Sequence, residues 1–169
     1  ACRTAARAAS TLARGGIAFG YAAGIRKIAG DLIFPNGIQI SPDGNIVYVA
    51  ETTGERFLTY QRDPATNALS LLSTREIDSG LDNLEWDADG NLWIGAHPRA
   101  IDFPAHGKDA SARSPSQVLR VSLEGGISVE EIYLNDGNPL SGASVGAPYG
   151  GGFLIGAVYE PFILDCEMP

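Results

Sequence analysis

Ile40-Ser41-Pro42-Asp43-Gly44-Asn45-Ile46-Val47-Tyr48-Val49-Ala50-Glu51 is followed 46 residues later by Trp86-Asp87-Ala88-Asp89-Gly90-Asn91-Leu92-Trp93-Ile94-Gly95-Ala96-His97. Each copy reads as the end of one strand, a polar Asp-Gly turn and a second, largely apolar strand. The Asp-Gly pairs supply the positive φ that a tight hairpin needs. A third, degenerate copy runs Tyr149-Gly150-Gly151-Gly152-Phe153-Leu154-Ile155-Gly156-Ala157-Val158-Tyr159. A period in the forties that holds about four short strands is the pattern of a propeller blade. A β-sandwich with two similar hairpins is the competing reading. The turn recurs at the same place in each unit, and this favours the propeller.

Outside the repeats, short runs rich in Ile, Val, Leu, Tyr and Phe are separated by Gly, Asp, Asn and Pro. They predict strands near 36–40, 45–51, 56–61, 68–77, 81–86, 91–96, 117–122, 127–134, 141–147 and 152–159. Helical periodicity is nearly absent after residue 16. Residues 1–16 are expected to form an irregular or helical tail, and 17–169 a partial all-β propeller domain. At this period 169 residues make about three blades, whereas a closed ring takes roughly four to eight. Three blades leave sheet edges open, and open edges pair with other strands. The chain is therefore expected to be a portion of a larger ring or one part of an assembly, with self-association through those edges.

Composition excludes several classes. Hydrophobic content is 44% and charged content 19%, as in ordinary globular proteins. No apolar run approaches the roughly 18 residues of a membrane span. Net charge is −8, unevenly placed. Residues 1–30 hold Arg3, Arg7, Arg14, Arg26 and Lys27 and no acid, while the remainder holds all 20 acids against seven bases. An acidic body argues against nucleic acid or an anionic membrane as the main partner and suits a cation, although on charge alone solubility is the favoured account. Cys2 and Cys166 stand near opposite ends, which leaves both a bridge and two separate thiols open.

Polar residues interrupt the apolar strands at three places: Asn36, the pair Asp82-Asn83, and His97 before Pro98. Asn36 and Asp82-Asn83 open the first strands of consecutive units, and the innermost strand of a propeller blade lines the central channel. Their oxygens would converge on the axis. Calcium takes about six to eight oxygens in a flexible shell, so one Asp and two Asn are an incomplete set. Capping of strand starts accounts for Asn36 and Asn83 equally well. The polar stretch Pro98–Pro115, holding Asp102, His106, Lys108 and Asp109, is expected to be a long loop, where such folds carry function.

Phe34-Pro35-Asn36-Gly37-Ile38-Gln39-Ile40-Ser41-Pro42-Asp43-Gly44 with Val47-Tyr48-Val49-Ala50-Glu51 resembles the paraoxonase/arylesterase family. So does Asp82-Asn83 with Gly90-Asn91-Leu92-Trp93-Ile94-Gly95-Ala96-His97-Pro98. Val118-Leu119-Arg120, Leu154-Ile155-Gly156-Ala157-Val158 and Cys166-Glu167 follow in the same order. The resemblance spans roughly 17–167. It implies a six-bladed propeller of the gluconolactonase-like superfamily with two central calcium ions, acting on small-molecule esters or lactones. It implies that Asn36, Asp82 and Asn83 are calcium ligands and that His97 lines the catalytic pocket. It also implies that Cys166 is the C-terminal half of a disulfide to the N-terminal region, and with it a secreted or extracytoplasmic setting. The family's remaining ligands, including an acidic one, belong to an N-terminal half that has no match here. A single chain is therefore expected to bind calcium weakly. A gluconolactonase- or strictosidine-synthase-like propeller and a non-catalytic propeller remnant are the alternatives.

Gly142-Ala143-Ser144-Val145-Gly146 fits a nucleophile-elbow pattern, but Pro148 and Gly150-Gly151-Gly152 forbid the helix that motif needs. Asp87-Ala88-Asp89-Gly90 lacks the downstream Glu of an EF-hand loop and reads as a hairpin turn. His106 is expected to be solvated, and two histidines without a spaced ligand pair make no zinc site.

Overall fold

The computed structural model describes residues 14–21 and 24–168. Cys2 and residues 1–13 of the expected tail lie outside them. Among the described residues thirteen strands and one short helix follow in order. They are β1 (Arg14–Tyr21), β2 (Gly24–Ile33), β3 (Pro35–Ile40), β4 (Ile46–Glu51), β5 (Arg56–Arg62), β6 (Leu69–Glu76), β7 (Gly80–Trp86) and β8 (Leu92–His97). Then come α1 (Phe103–His106), β9 (Ser116–Ser122), β10 (Ser128–Asn135), β11 (Ala143–Tyr149), β12 (Gly152–Ala157) and β13 (Leu164–Glu167). All ten expected strands are present within a few residues. β1, β2 and β13 are additional. β1 opens at Arg14, so residues 14–16 are strand rather than tail, and the expected long loop 98–115 contains α1.

The strands form antiparallel meanders in chain order: β3-β4-β5-β6, β7-β8-β9-β10, and a three-stranded β11-β12-β13, with β1-β2 as a separate hairpin. These sheets stack face to face. One core joins Ile17 and Leu32 to Val47, Val49, Leu58 and Tyr60. The next joins Tyr48, Ala50 and Phe57 to Leu81, Leu84, Leu92, Ile94 and Leu119. The third joins Trp93 and Val118 to Leu140, Ala143, Phe153 and Ile155. β4 and β8 therefore have neighbours on both faces, and this is why their sequences are continuous apolar runs instead of alternating ones. β6, at the outer edge, is exposed along nearly its whole length. Sequential meanders stacked in this way, with β3, β7 and β11 side by side, are a propeller arrangement and not a two-sheet sandwich.

Close approach between neighbouring sheets rests on glycine. A Cβ on Gly37 would stand 2.2 Å from the carbonyl oxygen of Asp82, and one on Gly95 would stand 2.3 Å from the carbonyl carbon of Ser144. Bulkier residues there would force neighbouring sheets apart. Polar links reinforce the contact. The Trp86 indole donates to the Ile40 carbonyl at 3.0 Å, and the Thr52 hydroxyl to the Leu81 carbonyl at 2.7 Å.

The two Asp-Gly turns form as expected, with Gly44 at φ 74° and Gly90 at φ 82°. Their hubs differ. In the first, Asp43 accepts from the Asn45 N–H and carboxamide. In the second, Asp87 accepts from the N–H groups of Asp89 and Asn91, the Asn91 carboxamide and the Trp93 indole. Burial opposes ionisation of Asp87, but the hydrogen bonds from Asn91, Trp93 and Asp89 outweigh it. They hold its carboxyl below the ordinary value near 3.8. A depressed native value stabilises the fold above the unfolded value, and that contribution is lost as pH falls through the native one. Asp87→Asn should therefore flatten the fall of the melting temperature on acidification below about pH 4. Melting curves of both proteins from pH 6 to pH 3 test this, and parallel curves would refute it.

Candidate active site

β-Bulges shape the inner strands where the expected site residues lie. Between Pro35↔Glu51 and Ile38↔Val49 the β3 strand carries one extra residue, at Asn36-Gly37. Between Leu81↔Ala96 and Leu84↔Ile94 β7 carries one extra residue, at Asp82-Asn83. Between Ala143↔Ala157 and Val145↔Gly156 β11 does the same at Ser144. A bulge bends its strand and re-aims a side chain. Here the same device recurs in three neighbouring inner strands.

The close approach of Gly37 to β7 brings Asn36 beside the Asp82-Asn83 pair. Asn36 is exposed, and its carboxamide nitrogen donates to Thr52 Oγ1 at 3.3 Å. Asn83 is exposed, and its nitrogen donates to the Ser144 carbonyl at 3.1 Å. Each amide thus spends its N–H on the protein and leaves Oδ1 without a hydrogen-bond partner among the described residues. Asp82 is only 4% exposed. Its Oδ2 meets His97 Nε2 at 3.2 Å. An ionised carboxylate only accepts, so Nε2 donates. The Nδ1 atom of His97 then faces no partner, in a residue 1% exposed. Asp82 orients His97 and leaves its other nitrogen free, which is the geometry of a positioned base.

These donors fit a hard cation in kind: two free amide oxygens beside a carboxylate. They do not fill a shell. Among the described residues no group of three or more His, Cys, Asp or Glu side chains is placed to hold a metal.

Glu51 occupies in the first unit the place His97 takes in the second, since the two pair with Pro35 and Gly80 respectively. It is fully buried and spent on structure. Arg56 Nε donates to it at 2.6 Å and the Ile33 N–H at 2.7 Å. Ser144, dismissed with the nucleophile-elbow pattern, sits on a strand bulge, and its carbonyl receives Asn83.

The pattern matched by the Arylesterase family model covers residues 8–168. The chain belongs to the arylesterase family. This arylesterase-family chain is 33% identical over 147 residues to human serum paraoxonase/arylesterase 1, covering 85% of this chain and 40% of that protein. Human serum paraoxonase/arylesterase 2 is 33% identical, and the rat form of the first 34%, with the same coverage. The chain thus spans about 40% of the length of these relatives. Among solved structures it is similar to a luciferin-regenerating enzyme, with a TM-score of 0.52 and 15% identity over 78% of this chain and 39% of that one. That likeness concerns the fold alone.

The reading of His106 as a solvated loop residue is corrected: it is 3% exposed. Nδ1 lies 2.9 Å from the Ala112 carbonyl, and Tyr159 packs against its ring at 5.9 Å. The local signal was a helix start, Asp102 followed by Pro104. Cys166 is half-buried opposite Phe153, with no disulfide partner among the described residues, and burial, with Asp165 nearby, raises the pKa of its thiol. Among the described residues no helix is long and apolar enough to cross a membrane.

Proposed function

We propose that this chain carries part of the site of a calcium-dependent hydrolase of carboxylic esters or lactones. The observation behind the proposal is the pair of adjacent bulges that set Asn36, Asp82 and Asn83 beside the Asp82–His97 contact, in a chain of the arylesterase family. Asn36 and Asn83 would hold the ion through Oδ1 and Asp82 through its carboxylate. A bound calcium ion supplies a Lewis acid for the ester carbonyl and the charge it develops. His97 accepts the proton of the attacking water at Nδ1, with Nε2 anchored on Asp82. The family match favours aryl esters and lactones over sugar lactones or strictosidine-type substrates. The relatives' names place those proteins in serum, and an extracytoplasmic setting for this chain belongs to the same proposal. So does self-association through the open edges of the sheets.

Phenyl acetate hydrolysis by this chain, with calcium and then with excess chelator, tests the proposal. Turnover that chelation removes supports it, and turnover indifferent to chelation defeats it. A second reading, a non-catalytic remnant, rests on the three candidate oxygens against a shell of about six to eight. A folded chain with neither turnover nor a calcium-induced melting shift selects that reading.

A further inference from the structure

A groove of about 390 Å³ lies between the β1–β2 hairpin and the face of the β3–β6 sheet. That volume is in the range of small-molecule sites, roughly 300–1,000 Å³. Its walls are aliphatic and aromatic, with Phe19, Ile28, Ile38, Ile40 and Leu69 among them. Ile38 and Ile40 line it while 54% and 43% exposed. Both lie toward the Asp43-Gly44 end of the β3–β4 pair, and Asn36 lies at the other end. Apolar side chains gathered in a concave surface open to water mark a binding site.

One charge stands in this wall, the half-buried Arg62 at the end of β5. A guanidinium has five N–H donors. Nε donates to Asn67 Oδ1 at 2.9 Å, Nη2 donates to the same oxygen, and Nη1 donates to the Gly44 carbonyl at 2.8 Å. One N–H on each terminal nitrogen is left without a partner among the described residues. No carboxylate of those residues forms an ion pair with Arg62. Asp63, the next residue, spends Oδ1 on the Ala65 and Thr66 N–H groups. Residues 1–13 hold Arg3 and Arg7 and no acid, so that segment offers no counter-charge.

The other polar groups of the wall are engaged. Gln39 Nε2 donates to the Leu84 carbonyl at 3.5 Å, and its Oε1 accepts from the Ile40 N–H at 3.0 Å. Asn67 Oδ1 is taken by Arg62. Such a lining suits a ligand that is polar at one end only, and that end must accept from two N–H donors. A carboxylate does so through its two oxygens.

We propose that this groove binds an alkyl carboxylate, with its head group on Arg62 and its chain along Ile28, Ile38 and Ile40. The apolar wall holds the chain, and the guanidinium selects the anion. Neither calcium nor His97 takes part, so the result stands apart from the proposed hydrolysis.

Octanoate and octan-1-ol, titrated separately into the whole chain and followed by the isoleucine δ1-methyl NMR signals, test this. Octanoate is expected to shift the Ile28, Ile38 and Ile40 signals saturably and to leave Ile94 and Ile155, buried in the other two cores, in place. It should bind roughly tenfold or more tightly than octan-1-ol, which cannot accept a charge-assisted pair of hydrogen bonds. Arg62→Gln should bring octanoate down to the affinity of the alcohol. Arg62 also ties Asn67 and Gly44, so Ile40→Glu serves as a second variant. It leaves the guanidinium in place and puts a carboxylate of its own into the groove. It should weaken octanoate roughly tenfold or more. Equal affinity of the wild type for the acid and the alcohol overturns the proposal. So does unchanged octanoate binding in Ile40→Glu. A wild type with no saturable shift at the three methyls overturns it too, since the groove is then closed or filled by the chain itself.

Discussion

Asp82→Ala is expected to remove all chelator-sensitive behaviour of this protein, both turnover and any calcium-induced rise in melting temperature. Asp82 is the one carboxylate in the candidate set and also, among the described residues, the only hydrogen-bond partner of the buried His97 ring. Alanine leaves both ring nitrogens of His97 unsatisfied in a residue 1% exposed. A buried group stripped of its partner costs about 1–3 kcal/mol, which for this chain length lowers Tm by roughly 2–4 °C per kcal/mol. Asp82→Asn separates the two roles, because a carboxamide still hydrogen-bonds His97 but brings no charge to a cation. The expected pattern is a large Tm loss and no calcium response for alanine, and a small Tm loss with a weakened calcium response for asparagine. A wild-type calcium response in Asp82→Ala would take Asp82 out of the metal site.

Trp93→Ala is expected to be the most destabilising single substitution among the core positions discussed. Trp93 is 2% exposed, its ring lies 5.5 Å from Phe153, and its indole donates to Asp87 Oδ2 at 3.0 Å. It points from β8 toward the three-stranded sheet while Leu92, Ile94 and Ala96 point the other way. Truncating a buried Trp costs about 3–5 kcal/mol, a large fraction of the roughly 5–15 kcal/mol that holds a domain together. Tm should fall by roughly 10 °C or more. Trp93→Phe keeps most of the ring contact and loses only the indole donor, so its loss should be about 1–3 kcal/mol. Urea titration of both variants measures the difference. A Trp93→Ala protein within about 1 kcal/mol of the wild type would mean that the third sheet is not held through this face.

The ten strands read from the chain were legible because their signals are local. Alternation, apolar runs and Asp-Gly turns lie within a dozen residues of one another. β1 and β2 were missed because Gly15, Gly16, Ala18, Gly20, Ala29 and Gly30 blunt the alternation of side chains that marks a strand. Their pairing comes instead from the hairpin and from the apolar face of β4 and β5 behind Ile17 and Leu32. β13 is four residues long and gains its place by pairing with β12.

Propeller-type repetition, the acidic body and family membership were all present in the order of residues along the chain, since each is a matter of spacing and residue type. Asn36, Asp82, Asn83 and His97 were legible as polar interruptions of apolar strands. Their arrangement was not. Whether an amide oxygen is free, whether a carboxylate meets an imidazole, and whether His106 is buried depend on residues far away in the chain. Asn83 meets the Ser144 carbonyl 61 residues on, and His106 is covered by Tyr159. Those meetings follow from the stacking of β3, β7 and β11. Gly37 and Gly95 permit that stacking by lacking a Cβ, and the bulges then set the direction of the side chains. Burial and partnership are through-space properties, and a one-residue register change would reassign all of them without altering a letter of the local pattern.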